Sequence, residues 1–360
     1  MSIPIIDAHL DLAWNALSFN RDLTFEVEAL RRQEAHMNDE PGRAKCTTSL
    51  PELRKADISL CVATLLARGG PDQEWPKGFK RTDLNYATPA IAHAAAHGQL
   101  AYYRWLEMQG HLSFIRSSGQ LNTFWTRPQP DKPLGIVLSM EGADPITHPE
   151  ELQHWWDAGL RALGPVHYGV GQYAYGTGVV GPFNKRGLAL LGEMDRLGMM
   201  LDVTHLCDES MAQAFDHFGG AMLASHHNCR ALVPGDRQLS DAQISTLIER
   251  GAVIGAALDA WMLYPGWERG VTQPAVVGLE AVADHIDHVC QLAGNTRHAA
   301  IGSDLDGGFG FEQTPHDLNT ITDLQKLAPI LSKRGYQDDD IQQIFHGNWL
   351  RFFTNALPDD

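Results

Sequence analysis

Histidine and carboxylate residues follow several short apolar stretches of this 360-residue sequence. Five of them have the types that bind zinc in an open catalytic site, where imidazole and carboxylate are the ligands: His9, Asp11, Glu141, His205 and His226. A binuclear hydrolytic site requires a carboxylate that gives one oxygen to each of two metal ions, about 3.5 to 4 Å apart. Neutral imidazole also suits Fe, Co, Ni or Mn, but mixed nitrogen and oxygen ligation without a thiolate favours zinc. We therefore predict two Zn²⁺ per chain, bridged by Glu141 and by a water or hydroxide.

The ligand candidates occur at positions where apolar runs end. Asp7, His9 and Asp11 have spacing i, i+2 and i+4, which places them on one face of a strand, so that His9 and Asp11 can reach one ion. HxD spacing alone is common, and the alternative is a solvent-exposed strand end. His205 ends LDVTH and His226 ends MLASH. A lone histidine is more often a core residue, but two at successive strand ends favour ligands.

Asp304 is the candidate acid and base. It lies in IGSDLDGG, where the glycines permit a tight turn after a strand. A carboxylate facing two metal ions could accept the proton of the bridging water and return it to a leaving amine. Asp306 is the competing residue at i+2, and its simpler interpretation is a loop cap.

Two further side chains could act on the substrate. His167 ends GPVHYG and is less clearly a ligand, so we expect it to polarise the carbonyl or to support a ligand, with a structural histidine as the alternative. Arg237, in PGDRQLSD, could offer two hydrogen bonds to a substrate carboxylate. Taken alone, it would be a surface residue.

The elements that must position these residues are eight short apolar runs separated by longer stretches with helical periodicity. Continuous apolar runs are typical of strands buried on both faces, and eight of them alternating with helices predict a (β/α)8 TIM-type barrel with the metal site at the C-terminal ends of the strands. The runs are 3–9, 58–66, 134–141, 160–167, 199–205, 221–226, 252–257 and 299–304.

The connections support this interpretation. Ser240 and Gln243 form a capping box that begins a helix ended by Gly251, and a second helix with an apolar stripe covers 280–294. The long connections, about 12–57 and 67–133, exceed ordinary βα loops. We expect helical excursions over the barrel and a single domain over 1–360.

Composition excludes several classes. The formal net charge of −16 argues against nucleic acid and anionic lipid as partners. Five cysteines without a CxxC motif indicate neither a disulfide framework nor a cysteine zinc site. The sequence has neither the basic and apolar segments of a signal peptide nor a run of about 18 apolar residues, so we expect no membrane contact and a cytoplasmic location. A homodimer is possible.

Three sequence patterns resemble functional sites, but in each case a structural role is the simpler interpretation. Gly169, Gly171 and Ala174 spell G-x-G-x-x-A, but a loop rather than a helix follows, which disfavours a dinucleotide site. Cys207 is expected to be a buried thiol. His285 and His288 are interpreted as part of a solvated helix face.

The co-linear motifs HLD, MEGADPI, DVTHLC, SHHNCRAL, DRQLSD and IGSDLDG resemble the membrane (renal) dipeptidase family, peptidase family M19, of binuclear zinc hydrolases. The similarity extends to SLPELRKADI and HGNWLRFF and covers nearly the whole chain. It implies one zinc held by His9, Asp11 and Glu141, and a second held by Glu141, His205 and His226.

The resemblance also implies roles that agree with those argued above. Asp304 corresponds to the catalytic acid and base, His167 to the histidine beside the scissile carbonyl, and Arg237 to the arginine that binds the dipeptide carboxylate. It implies attack by the metal-bridging hydroxide on a dipeptide with a free C-terminal carboxylate, tolerance of a D-residue at that position, and β-lactam hydrolysis in some relatives.

Two alternatives stay open at this point. An amidohydrolase-type barrel could act on another amide, a lactone or an ester, although many of those bridge their metals with a carbamylated Lys and no Lys ends a predicted strand. A metal-binding protein without turnover is the second. The segment AALDAWMLYPGW, 256–267, differs from the family pattern and leaves the pocket for the N-terminal side chain undefined.

Overall fold

The computed structural model describes residues 2–69, 81–127 and 132–359. Its strands are β1 Ile5–Leu10, β2 Ile58–Leu66, β3 Leu112–Phe114, β4 Leu134–Glu141, β5 Leu160–Gly164, β6 Met200–Asp202, β7 Met222–Leu223, β8 Ile254–Ala256 and β9 Ala299–Ile301. All pairings between them are parallel, in the order β1-β2-β4-β5-β6-β7 and, separately, β8-β9, with β3 pairing to β4.

Backbone hydrogen bonds join the two sheets into a ring. Ala224 N donates to Val253 O at 3.1 Å, which links β7 to β8, and Asp304 N donates to His9 O at 3.3 Å, which links β9 to β1. Eight parallel strands thus curl into the (β/α)8 barrel that the sequence predicted, with β3 outside the ring.

The helices surround this ring. They are α1 Leu12–Phe19, α2 Val27–Glu34, α3 Leu50–Lys55, α4 Pro89–Met108, α5 Ser118–Trp125, α6 Leu152–Asp157, α7 Lys185–Leu197, α8 Asp208–His217, α9 Asp241–Glu249, α10 Leu279–Ala293, α11 Leu327–Lys333, α12 Asp338–Gln342 and α13 Asn348–Ala356. Short 3-10 turns and a π-helical stretch, Gln343–Gly347, complete the described elements. Within the described residues, no helix has both the length and the apolar character needed to cross a bilayer.

One apolar cluster fills the barrel interior. Each ring strand, or the residue next to it, contributes a buried side chain: Ile6, Leu60, Val137, Ala162, Met200, Leu223, Val253 and Ala300. Trp349 and Phe353 of α13 close the N-terminal end, and Trp349 Nε1 donates to Ile301 O at 2.9 Å. Because this end is packed, the polar side chains can converge only at the other.

The first excursion consists of α1, α2 and α3 and is fastened to the barrel mouth. Asp306 accepts hydrogen bonds from the backbone N–H and the hydroxyl of both Thr47 and Thr48, at 2.7 to 3.0 Å. Asp306 is therefore an anchor for the loop, in line with its interpretation as a loop cap. The second excursion contains α4 and α5 and also β3, which was not expected because a three-residue strand has too little periodicity to recognise.

The residues predicted to begin and end helices do so in the structure at the two helices for which they were named. The capping box of Ser240 and Gln243 begins α9, and Gly294 ends α10 with φ of 67°. The interpretation of His285 as solvated was wrong: it is 2 % exposed, and its Nδ1 accepts from Cys229 N at 3.0 Å. His288 is half-buried and its Nε2 lies 2.8 Å from Asp241 Oδ1.

Two other patterns can be compared with the structure. Cys207 is a buried thiol whose Sγ donates to Gly181 O at 3.1 Å, and all five cysteines are buried and free. After the glycines of 169–171 the chain forms a loop, and no helix begins before Lys185. A dinucleotide site requires a helix N-terminus directly after such glycines, so the pattern has no such role.

Candidate metal centre and active site

The candidate residues leave the barrel strands in a regular way. His9 lies within β1 and Glu141 is the last residue of β4. The other four were predicted to end strands but lie in the loops, each three positions after the last strand residue: His167 after Gly164, His205 after Asp202, His226 after Leu223 and Asp304 after Ile301. These four strands are therefore shorter than predicted, and the candidate residues lie in the loops that follow them.

Two of these turns have left-handed backbone conformations. φ is 70° at His205 and 59° at Asp304, and neither residue is glycine. Such conformations persist where the surrounding structure over-determines them, which is common at functional sites. They direct these two side chains into the mouth rather than along the strand.

Glu141 lies at the centre of the polar cluster. Its Oε1 is 3.2 Å from His205 Nε2 and 3.4 Å from His226 Nε2, while its Oε2 is 3.6 Å from His9 Nε2. His9 Nε2 is also 3.6 Å from Asp11 Oδ2. The two oxygens of one carboxylate therefore face two different sets of donors, an arrangement suited to two cations.

Several of these atoms are buried and have no hydrogen-bond partner among the described residues. His9 Nε2 and Glu141 Oε1 are two such atoms. A buried polar atom without a partner lowers the stability of the fold unless a ligand or an ion compensates for it. Donor atoms of this cluster lie within 4.8 Å of one another in three overlapping groups: His9, Glu141 and His226; Glu141, His167 and His205; His9, Asp11 and Asp304. Nitrogen and oxygen donors at this density fit divalent transition-metal ions.

The imidazoles are oriented by hydroxyl groups that sequence reasoning did not identify. Ser225 Oγ is 2.9 Å from His226 Nδ1, and Thr177 Oγ1 is 3.1 Å from His205 Nδ1. With Nδ1 engaged, Nε2 faces the cluster, as metal ligands require. Ser225 precedes its histidine directly and could have been noticed, but Thr177 is 28 residues from His205 and gave no signal.

Burial controls the protonation of the cluster. It lowers the pKa of His167, His205 and His226 well below the ordinary value, so these imidazoles are neutral near pH 7 and can ligate. Burial also opposes the charge of His9, but the carboxylates of Glu141 and Asp11 outweigh it and raise the pKa of His9.

Asp304 lies at the edge of the cluster. Its Oδ1 is 3.8 Å from His9 Nε2, and burial raises the pKa of this carboxyl well above the ordinary value. It lines a cavity of about 460 Å³ together with Asp11, Glu141, His167, His205 and His226. A carboxyl in this position can hold a proton and release it inside the cavity.

Arg237 lines the same cavity and is 2 % exposed, although taken alone it would be a surface residue. Its Nη2 donates to His226 O at 3.0 Å, while its Nη1 is buried without a partner in the described chain. His167 is also in the cavity wall, with Nε2 3.9 Å from Glu141 Oε1. The structure therefore brings together all the residues that the sequence singled out.

Other residues of the wall were missed. They are Trp14, Arg68, Tyr168, Asp259, Trp261 and Trp267, among others. Asp259, Trp261 and Trp267 belong to the segment after β8 for which the sequence left the pocket undefined. Nothing in a single aspartate or tryptophan distinguishes a cavity wall from a core or a surface position.

A barrel with clustered imidazole and carboxylate donors at its mouth is typical of metal-dependent hydrolases. The family model for membrane dipeptidases, peptidase family M19, matches residues 1–357. The chain therefore belongs to the M19 dipeptidase family, whose members are metallopeptidases that hydrolyse peptide bonds.

Individual relatives are distant. The chain is 28% identical over 241 residues to an uncharacterized protein in the pqqA 5′ region of Klebsiella pneumoniae, a match over 64% of this chain and 85% of that protein. It is 27% identical over 228 residues to dipeptidase verJ of Clonostachys rogersoniana, covering 62% of this chain and 55% of that one. The matched part thus spans only about half of the fungal protein.

Solved structures support the fold. A dipeptidase of family M19 superposes with a TM-score of 0.79 at 22% identity, covering 99% of both chains. A metallopeptidase from Rhodobacter sphaeroides, solved with a phosphinate mimic of the dipeptide L-Ala-D-Ala, superposes with a TM-score of 0.78 at 21% identity, covering 99% of this chain and 100% of that chain. The overall fold is therefore shared with these two structures.

Proposed function

We propose that this protein hydrolyses dipeptides with a free C-terminal carboxylate, using two zinc ions. His9, Asp11 and Glu141 would hold one ion, and Glu141, His205 and His226 the other. Zinc in such a site supplies Lewis acidity, which lowers the pKa of water towards about 7 and polarises a carbonyl. The unpartnered His9 Nε2 and Glu141 Oε1 support this assignment.

The observation that carries the substrate proposal is the unpartnered guanidinium nitrogen of Arg237. A buried cation with a free N–H in the cavity of the donor cluster is suited to a carboxylate. Because Arg237 and Glu141 line the same cavity, the C-terminal carboxylate and the scissile bond would lie close together in the substrate. A dipeptide meets this requirement.

The remaining steps belong to Asp304 and His167. Asp304 takes a proton from the attacking water and delivers it to the nitrogen of the leaving amine. His167 is neutral because of its burial, so a ring N–H can donate to the carbonyl oxygen as negative charge develops there.

We also propose tolerance of a D-residue at the C-terminal position. The support is the Rhodobacter sphaeroides structure, whose ligand mimics L-Ala-D-Ala. Comparing L-Ala-L-Ala with L-Ala-D-Ala on the purified protein tests it directly. Hydrolysis of the L,L form alone would reject D-tolerance and leave the dipeptidase proposal intact.

The main experiment measures the metal content and then the hydrolysis of dipeptides and of their C-terminal amides. Arg237→Met should lower kcat/KM for free dipeptides by about 10- to 100-fold, the effect of losing a charged hydrogen bond, with little change for the amides. Arg230→Met is the matched control, because Arg230 pairs with the exposed Asp208 outside the cavity. Equal losses on acids and amides would reject carboxylate recognition.

A second variant tests the proton transfer. Asp304→Asn should keep the metal content and lower kcat by about 10² to 10⁴. Near wild-type turnover would show that another group moves the proton. Activity on esters or lactones but not on dipeptides would show that the protein is a different metal-dependent hydrolase. Metal binding with no turnover of any of these substrates would contradict the proposal that the protein is an enzyme.

A further inference from the structure

The segment that follows β8 forms one wall of the cavity and contains a buried carboxyl. Asp259 is 7 % exposed and lines the cavity with Trp261 and Trp267, and Trp14 from α1 lines it as well. Trp267 Nε1 is buried with no hydrogen-bond partner in the described residues. The proposed metal ligands and the proposed carboxylate site use none of these four residues.

The partners of Asp259 are neutral. Trp261 Nε1 donates to its Oδ2 at 2.7 Å, and Gln313 Nε2 donates to its Oδ1 at 2.8 Å. No Lys, Arg or His of the described ranges comes within ion-pair distance of it. Burial raises the pKa of Asp259 to about 7. A carboxyl that is buried and held by neutral donors lacks the cation that would compensate its charge.

The charged groups around Asp259 do not supply this cation. Arg269 also lines the cavity and its charge favours the ionised form of Asp259, but its Nη2 donates to the carbonyl of Gly308. Asp304 faces the same space and is a second carboxyl rather than a cation. The cavity therefore has an acidic, tryptophan-lined part, and aromatic faces attract cations as carboxylates do.

This part of the cavity is free for the N-terminal half of the substrate. Arg237 is tied to His226 O, next to β7, whereas Asp259 is tied to Gln313, beyond β9. Asp259 and the tryptophans beside it line the cavity without being assigned to the carboxylate or to the scissile bond, so this part of the wall is available to the N-terminal residue.

We propose that Asp259, with Trp14, Trp261 and Trp267, forms a subsite for a cationic group on the N-terminal residue of the dipeptide. The cation is an alkylammonium or a guanidinium, supplied by a Lys or Arg side chain or by the α-ammonium. The inference rests on the proposed dipeptidase function and adds to it a preference for substrate charge.

The test compares L-Lys-L-Ala with L-norleucyl-L-Ala on the metal-loaded protein, because norleucine keeps the side-chain length and removes the charge. Wild type should favour the lysyl substrate by about 10- to 100-fold in kcat/KM, mainly through KM. Asp259→Asn should abolish this preference and leave the norleucyl substrate within about threefold. Glu268→Gln, an exposed carboxylate next to Trp267, is the matched control and should keep the preference.

A second arm identifies the source of the cation. N-acetylation of L-Ala-L-Ala removes the charge of the α-ammonium and adds a small neutral acetyl group. If Asp259→Asn raises KM for all free dipeptides equally and leaves the acetylated substrate unchanged, the α-ammonium occupies the subsite, and the proposal stands with that source. If KM is unchanged for every substrate, the proposal is overturned.

The outcomes separate this inference from the function on which it rests. A wild-type protein that hydrolyses no dipeptide contradicts the proposed function. A wild-type protein that hydrolyses lysyl, norleucyl, free and acetylated substrates equally well contradicts only the subsite, and this comparison needs no variant to fold. Calorimetric binding of L-Lys-L-Ala to Asp304→Asn, with and without Asp259→Asn, gives a readout independent of turnover and should show about tenfold weaker binding in the double variant.

Discussion

Two buried glutamates, one in the first excursion and one at the barrel mouth, lie in opposite electrostatic environments. Glu34, at the end of α2, accepts from Arg21 at both oxygens at 2.8 Å, from Arg43 at 3.0 Å and from Ala44 N at 2.8 Å. Although burial opposes it, the hydrogen bonds from Arg21 hold the pKa of Glu34 below its ordinary value. Its charge is fully compensated.

Glu141 is equally buried, but faces imidazole nitrogens instead of guanidinium groups, and burial raises its pKa. One of its oxygens has no partner among the described residues. A buried charge that its partners compensate stabilises the fold, whereas one whose burial is not offset costs stability and is retained for a ligand. The two sites should respond oppositely to the same substitution.

The largest effect is expected at the mouth. Glu141→Gln should remove most bound metal and lower turnover by about 10³-fold or more, because the carboxylate common to both proposed ion sites is lost. The metal-free protein should be as stable as wild type or more stable, because burial disfavours the Glu141 charge by more than the attraction of His9 favours it. Metal analysis, kcat and urea unfolding in chelator measure this. A clear loss of metal-free stability would contradict the comparison.

The same substitution at the glutamate of the first excursion should lower the stability of the fold rather than the metal content. Glu34→Gln should lower the free energy of unfolding by about 2 to 3 kcal/mol near pH 7, because charged hydrogen bonds from two arginines are weakened. Metal content per folded chain should be unchanged. Glu28→Gln on the same helix is the control: its exposed pair with Arg31 should be worth less than about 1 kcal/mol. Equal losses in the two variants would reject the role of burial.

Acid should remove the contribution of Glu34. Because its folded pKa lies below the unfolded value of about 4.3, the stabilisation is complete above that pH and is lost as pH falls through the folded pKa. The difference between wild type and Glu34→Gln should shrink by about 1.4 kcal/mol per pH unit in this window. Urea unfolding of the metal-free proteins between pH 6 and about pH 3 tests it, and a constant difference would contradict it.

The smallest expected effect concerns the support of the mouth. Thr177→Val removes the hydroxyl beside His205 Nδ1 and should weaken metal binding by about tenfold, with stability almost unchanged. Competition with a chelator measures the affinity. Thr246→Val, on the outside of α9, is the control and should leave metal affinity as it is.

Much of the architecture could be predicted because its signals are local. Apolar runs marked every ring strand, and the capping residues marked the ends of α9 and α10. The short strand β3 could not be predicted, since its three residues pair only with 134–136, the part of β4 that precedes its pairing with β5. His285 was misjudged for a similar reason: the helix pattern does not reveal that Cys229 donates to it.

Residue types and their spacing along the chain were enough to predict the barrel and the polar residues near its strand ends. Which polar atoms meet, and which stay unpartnered as at Glu141, Arg237 and Asp259, could be read only from the folded chain. Burial and hydrogen bonding depend on segments distant in sequence, so the compensation of a charge becomes defined only when the chain is folded.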